Sequence, residues 1–158
     1  MAEEKKIRVL ADRWTYQDFL SFMQASNTGN LEMQYSLVER AIVAWDYDVD
    51  LAGPDPMMEL GVAESTKVLR TVMEMVNALA EDIDYSHVKV DFSPWKTRTF
   101  LEFDRARSEG KWVKVERMLH EVASIEGVSD ANPLSMENGM RMFTAVQKAY
   151  ERLVTGKN

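Results

Sequence analysis

The strongest constraint on the fold is that the chain matches itself when displaced by 81 positions. Residues 7–29 then lie over 88–110 with seven identities in 23 places: Val9/Val90, Trp14/Trp95, Phe19/Phe100, Leu20/Leu101, Phe22/Phe103, Ala25/Ala106 and Gly29/Gly110. Background composition supplies roughly one or two matches in such a window, and few of those would be aromatic. Ile7/Val88 and Arg8/Lys89 agree in kind, and the displacement continues through the apolar pairs Leu31/Trp112, Leu37/Met118, Val38/Leu119 and Ala41/Val122. A four-residue deletion then moves the register to 77, pairing Pro56/Pro133, Leu69/Val146, Val72/Ala149, Met73/Tyr150, Glu74/Glu151 and Val76/Leu153. A duplicated unit is the economical explanation: repeat unit 1 over residues 1–82 and repeat unit 2 over 87–158, joined by a linker, Glu81 to Ser86, too short for a flexible tether.

Each copy reads as a short strand followed by three helices. Ile7 to Leu10 and Val88 to Phe92 are β-branched with interleaved charges, and the two are expected to pair as a two-stranded ribbon, which needs packed helices for stability. Thr15, with Asp18 three residues on, caps a first helix that ends at Gly29; Ser93 and Pro94 open its counterpart, which ends at Gly110. The second helices are expected over Leu31 to Trp45 and Trp112 to Ile125, because Leu31, Tyr35, Val38, Ile42 and Trp45 recur at steps of four and three. Third helices start near Val62 and Ser135, with stripes Leu69, Val72, Met73, Val76, Leu79 and Met136, Met140, Phe143, Val146, Tyr150, Leu153. Three short helices bury little alone, so the copies are expected to pack their stripes into one mainly α domain, a six-helix bundle with pseudo-twofold symmetry. Trp14 and Trp95, equivalent in the repeat, belong to its core.

Composition narrows the function. There is no cysteine, hence no disulfide framework, thiolate nucleophile or thiolate zinc site. No apolar stretch approaches the roughly 18 residues that span a bilayer, and the charged start Met1 to Lys6 is unlike a signal peptide, so the expected location is cytoplasmic, with no membrane partner. Net charge is -7, which argues against sequence-independent nucleic-acid binding. Residues 1–86 carry 7 basic and 16 acidic side chains, a balance of -9, whereas residues 87–158 carry 12 and 10, a balance of +2. Such asymmetry steers partners or self-association.

No catalytic constellation is present in the sequence: no phosphate-binding glycine loop, nucleophile elbow or His-Glu-x-x-His helix. His87 sits at the linker. His120 has Glu116 one turn before it and reads as a surface or half-buried imidazole beside a carboxylate. Asp46, Asp48 and Asp50 alternate as in the opening of a calcium loop, but Leu51 stands where the sharp turn needs glycine and Met57 where the bidentate glutamate belongs. The acidic run, continuing to Asp55, therefore reads as a solvated connection; the second copy shortens it and keeps only Glu126 and Asp130. Insertions on one face of a repeat protein frequently carry binding, which makes Asp46, Asp48, Asp50 and Asp55 candidate partner-binding residues. Lys96, Arg98, Arg105, Arg107, Lys111, Lys114 and Arg117 lie near Trp95 and Trp112, but Glu102, Asp104, Glu109 and Glu116 are interspersed, the pattern of a salt-bridged solvated face. Of the 11 methionines, Met75 and Met142 fall off the core stripes and are expected to line an exposed groove for an apolar partner.

A short strand, then Trp-x4-Phe, then an amphipathic helix ending near a Trp followed by acidic residues and Pro, resembles phage tail assembly chaperones. The residues concerned are Ile7 to Leu10, Trp14, Phe19, Trp45, Asp46, Asp48 and Pro56. The resemblance implies a small acidic helical protein, without catalytic residues or cofactors, that shields apolar helical segments of the tape measure protein during tail assembly. The expected partner is then another protein, contributing an amphipathic or basic helix. Two other classes fit the composition: a small acidic inhibitor that imitates nucleic acid, and a self-associating structural subunit of a particle.

Overall fold

The computed structural model describes residues 5–128 and 134–156. Its first strand, β1 (Ile7–Val9), alternates half-buried Ile7 and Val9 with exposed Arg8. Helix α1 (Tyr16–Thr28) is opened by Thr15, whose side chain accepts from the Asp18 amide while the Asp18 carboxylate accepts from the Thr15 amide. Gly29 ends the helix at φ 73°, a left-handed conformation that costs glycine nothing. Helix α2 (Leu31–Ala41) and strand β2 (Ile42–Trp45) follow without a break, and a 3-10 turn, Pro56–Glu59, leads to the long α3 (Val62–Glu81). The same order then recurs: β3 (Val88–Val90), α4 (Thr97–Ser108), α5 (Trp112–Val122), β4 (Ala123–Ile125) and α6 (Met136–Thr155).

The fold is mainly helical, with six helices and two small antiparallel sheets among the described residues. The expected ribbon between Ile7–Leu10 and Val88–Phe92 does not form. Each strand instead pairs within its own half, β1 with β2 (Ile7 opposite Trp45, with a bulge between Arg8 and Val9) and β3 with β4 (Val88 opposite Ile125). The partners are the segments 42–45 and 123–125, which the helical periodicity had absorbed into α2 and α5. Their apolar residues satisfy both periods over so short a run, and the unpaired edge of β1 or β3 decides the outcome. Helix α4 also begins later than Ser93-Pro94: those residues form a turn held by Asp91, and the first turn of α4 is closed by Thr99, whose hydroxyl accepts from the Lys96 amide.

Trp14 and Trp95 have closely similar surroundings. Trp14 meets Phe22 at 5.1 Å and 45°, and Trp95 meets Phe103 at 5.3 Å and 42°. Both indoles are buried in a hydrophobic cluster that draws side chains from both halves. The Trp14 indole donates to the Leu37 carbonyl at 2.7 Å, whereas the buried Trp95 indole has no acceptor. The third helices sit 74 positions apart rather than 77: α3 and α6 are both 20 residues long, begin at Val62 and Met136, and bury Val68 and Val72 against Met142 and Val146 in matching places. Pro133, on which the 77 register leaned, and Asp130 lie outside the described residues.

The halves do not meet about a twofold axis. Helix α1 packs on α5 and α6, but no reciprocal packing of α4 on α2 and α3 matches it; α4 packs chiefly on α5 of its own half. The reason is local. Tyr16 lies flat where Gly139 of α6 has no side chain, its amide donates to the Leu134 carbonyl, and Thr15 bridges to Ser135. The corresponding positions of the opposite pairing hold Thr97 and Ser65, which offer neither the ring nor the gap.

Candidate functional site

The junction of the halves leaves a groove. Tyr16, Phe19, Leu20 and Met23 follow one another at steps of three, one and three, which places them on one face of α1. Tyr16 is fully buried and fixes that face against α6; Phe19 and Leu20 are half-buried, and Met23 is exposed. Across from them stand Trp112 at the start of α5 and Met140, Phe143 and Thr144 of α6, enclosing a volume of about 530 Å³. Gln24, Asn27 and Thr28 give the rim hydrogen-bonding capacity. Arg107 crosses from α4, its guanidinium 5.6 Å from the Phe143 ring centre and paired to Asp104 at 2.9 Å. The interior of the groove is thus aromatic and thioether, and its edge is polar, the division found at helix-accepting surfaces.

Beneath the groove the junction is polar in a specific way. Glu116 on α5 is 3% exposed; its carboxylate accepts from the Leu134 amide at 2.9 Å and from the Gln17 side-chain amide at 3.2 Å. One buried carboxylate therefore ties α1, α5 and the entry to α6 together. Burial, reinforced by Glu116 and opposed by Arg107, holds the Tyr16 phenol well above its ordinary value of 10.0. Sequence reasoning placed Glu116 on the solvated face beside His120. The signal that would have moved it inward is its position one residue from Val115 and two from Met118 on the buried side of α5. Gly139, in the middle of an otherwise favourable helix, was a second signal, since a glycine there costs stability unless something packs against it.

The acidic segment is an ordered loop. Trp45 and Tyr47 turn inward, edge to face at 5.5 Å, and the Trp45 indole donates to the Val49 carbonyl at 2.8 Å. Alternation leaves Asp46, Asp48 and Asp50 exposed, as is Asp55, a non-glycine residue at φ 46°. Asp46 accepts from the Lys6 amide and Asp50 from the Ala52 amide. Among the described residues no three acidic or histidine side chains converge as a metal-binding group. A second cleft, of about 540 Å³, lies beside this loop and is ringed by Lys5, Lys6, Arg8 and Lys67 with Asp46, without a continuous apolar wall.

Met75 and Met142 do not line a shared exposed groove. Met142 is 2% exposed and packs in the core three residues after Gly139 and four before Val146, so it belongs to the buried stripe of α6. Met75 is half-buried against the core on α3. Helix α6 contacts α1, α5, β3 and β4, and being covered on several sides it buries a wider stripe than periodicity assigns to a surface helix. Tyr150 and Leu153, expected in that stripe, are exposed near its end. The basic series on α4 and α5 is salt-bridged as its composition implies: Arg107 pairs with Asp104, Lys111 with Glu109 and Lys114 with Glu102. The lysine contacts lower the Glu102 and Glu109 carboxyls below their usual range. His87 stands exposed, 3.9 Å from Glu126. No helix is long and apolar enough to cross a membrane.

No family model, curated protein or solved structure matches the chain.

Proposed function

We propose that this protein is a non-enzymatic binding module that takes an amphipathic helical segment of another protein into the groove between α1 and α6, the activity expected of a phage tail assembly chaperone-like protein in the cytoplasm of an infected cell. The observation that carries the reading is the groove itself: Phe19, Leu20, Met23, Trp112 and Phe143 form an apolar floor beside a polar rim. Burying apolar side chains there supplies affinity at roughly 25 cal/mol per Å² before association costs are subtracted. The exposed carboxylates of Asp46, Asp48, Asp50 and Asp55 act at longer range, steering a basic flank of the partner toward the acidic half. We further read the two halves as copies of one unit, on the strength of the 81-residue offset, the recurring order of elements and the matched Trp14–Phe22 and Trp95–Phe103 pairs.

The test is titration of labelled amphipathic peptides, read by peptide anisotropy and by Trp112 fluorescence. Met23→Glu should weaken binding about tenfold or more, the effect of about 1.4 kcal/mol. Changing Asp46, Asp48 and Asp50 together to Asn should slow association of basic peptides at low salt and leave dissociation unchanged. Peptide binding indifferent to Met23→Glu removes the groove from consideration. The outward-facing aspartates favour one other reading, an acidic inhibitor that occupies a basic channel; its affinity collapses as salt is added, while helix capture in the groove persists.

A further inference from the structure

The contact between the halves is one-sided, and that leaves two matching surfaces open. Where α1 is covered by the second half, the corresponding positions of α4, 81 residues on, are bare: Tyr16 is buried but Thr97 exposed, and Gln17 and Leu20 are half-buried whereas Arg98 and Leu101 are exposed. The receiving side shows the complementary pattern. Glu116 is buried where Tyr35 of α2 is half-buried, and Met136 is 1% exposed where Val62 of α3 is 83% exposed. Met140 is buried where Thr66 is exposed, and Trp112 is half-buried where Leu31 is exposed. A twofold contact would have covered both sets equally; a head-to-tail contact covers one set and repeats.

We propose that copies of this chain associate head to tail, the α4 face of one copy docking on the α2–α3 face of the next as α1 docks on α5–α6 within the chain. The occupant of the open surface is thus a second copy, for two reasons. The surface continues an interface already formed inside the molecule, and it retains that interface's apolar anchors, Phe100 and Leu101 in the places of Phe19 and Leu20, and Leu69 in the place of Phe143. Charge is also complementary. Arg98 and Arg105 replace Gln17 and Gln24 on the donating face, and they approach the half whose balance is -9. The contact is heterologous, so it closes into a ring or extends as a filament according to the rotation between successive copies. The proposal does not rest on helix capture, because the α1–α6 groove takes no part in it.

The experiment is analytical ultracentrifugation of the full chain up to millimolar concentration, with Leu101→Glu and Val62→Glu as variants that each disable one face. Both residues are largely exposed, so the monomer fold, followed by circular dichroism, is retained. The wild type should form species larger than dimers, and each variant should lower the association constant about tenfold or more. An equimolar mixture of the two variants should give a species that stops at a heterodimer, because one intact face of each kind remains. A wild type that stays monomeric at the highest concentration overturns the proposal. So does assembly untouched by both variants, or a mixture that associates no better than either variant alone.

Discussion

Replacing Gly139 by alanine gives the sharpest test of how the halves are joined. In an exposed helix the change stabilises, by about 1 kcal/mol, because glycine loses more backbone entropy on folding. Here the new Cβ would fall on Cβ, Cγ and Cδ1 of Tyr16, closer than a real Cβ approaches any neighbour. These atoms lie at the root of a fully buried ring, so no rotation of a flexible tip relieves the clash and α1 must move away from α6. Overpacking of this kind costs about 1–3 kcal/mol, and the upper end applies where backbone must shift. Subtracting the propensity gain leaves a net loss of about 2 kcal/mol, and at ~2–4 °C per kcal/mol a fall in Tm of about 4–8 °C. Urea melts of Gly139→Ala, Tyr16→Ala and the double variant measure it. In the Tyr16→Ala background the same glycine substitution should turn neutral or stabilising, a coupling of at least about 2 kcal/mol. A Gly139→Ala protein as stable as the wild type, with unchanged slope against denaturant, would refute the close packing of Tyr16 on α6.

Glu116→Ala leaves the Leu134 amide and the Gln17 side chain without their acceptor in a dry junction, and should cost about 3 kcal/mol in denaturant melts, whereas Glu116→Gln, which keeps one acceptor oxygen, should cost less. In an alkaline titration followed by phenolate absorbance, one of the five tyrosines should remain un-ionised after the others have titrated. Because the Tyr16 pKa is raised in the folded state, its contribution to stability is complete below pH 10.0 and is lost as pH rises from there toward the folded value. Trp14→Phe removes a donor from the Leu37 carbonyl and Trp95→Phe removes one with no acceptor, so the first should be more destabilising, by about 1–2 kcal/mol, in parallel thermal melts.

Helices and their caps were legible because the signals are local: Thr15 with Asp18, Gly29 and Gly110 act within a turn of the residues they stop or start. The burial of Trp14 and Trp95 was legible from the offset that pairs them. Strands β2 and β4 were hidden because Ile42 to Trp45 keeps the spacing of a helix stripe, and only a partner strand some 35 residues away selects the extended form. The groove was misplaced for a related reason. Periodicity sorts Met142 to the outside of a helix with one buried face, but α6 has several, and which faces a helix buries is settled by its neighbours rather than by its own sequence. Glu116 defied composition altogether, since a buried carboxylate depends on two donors, one far earlier in the chain and one on the approach to α6.

The seating of Tyr16 on Gly139 also bears on how the protein is made. During synthesis the first half leaves the ribosome with its own sheet complete, yet the ring that anchors α1 has nowhere to go until the last helix is translated. Through that interval Tyr16, Phe19 and Leu20 stay wet, an adhesive strip on a nascent chain. A ribosome stalled before α6 would therefore hold a species prone to clumping, and the closing helix serves as the stopper that makes the finished chain safe to release.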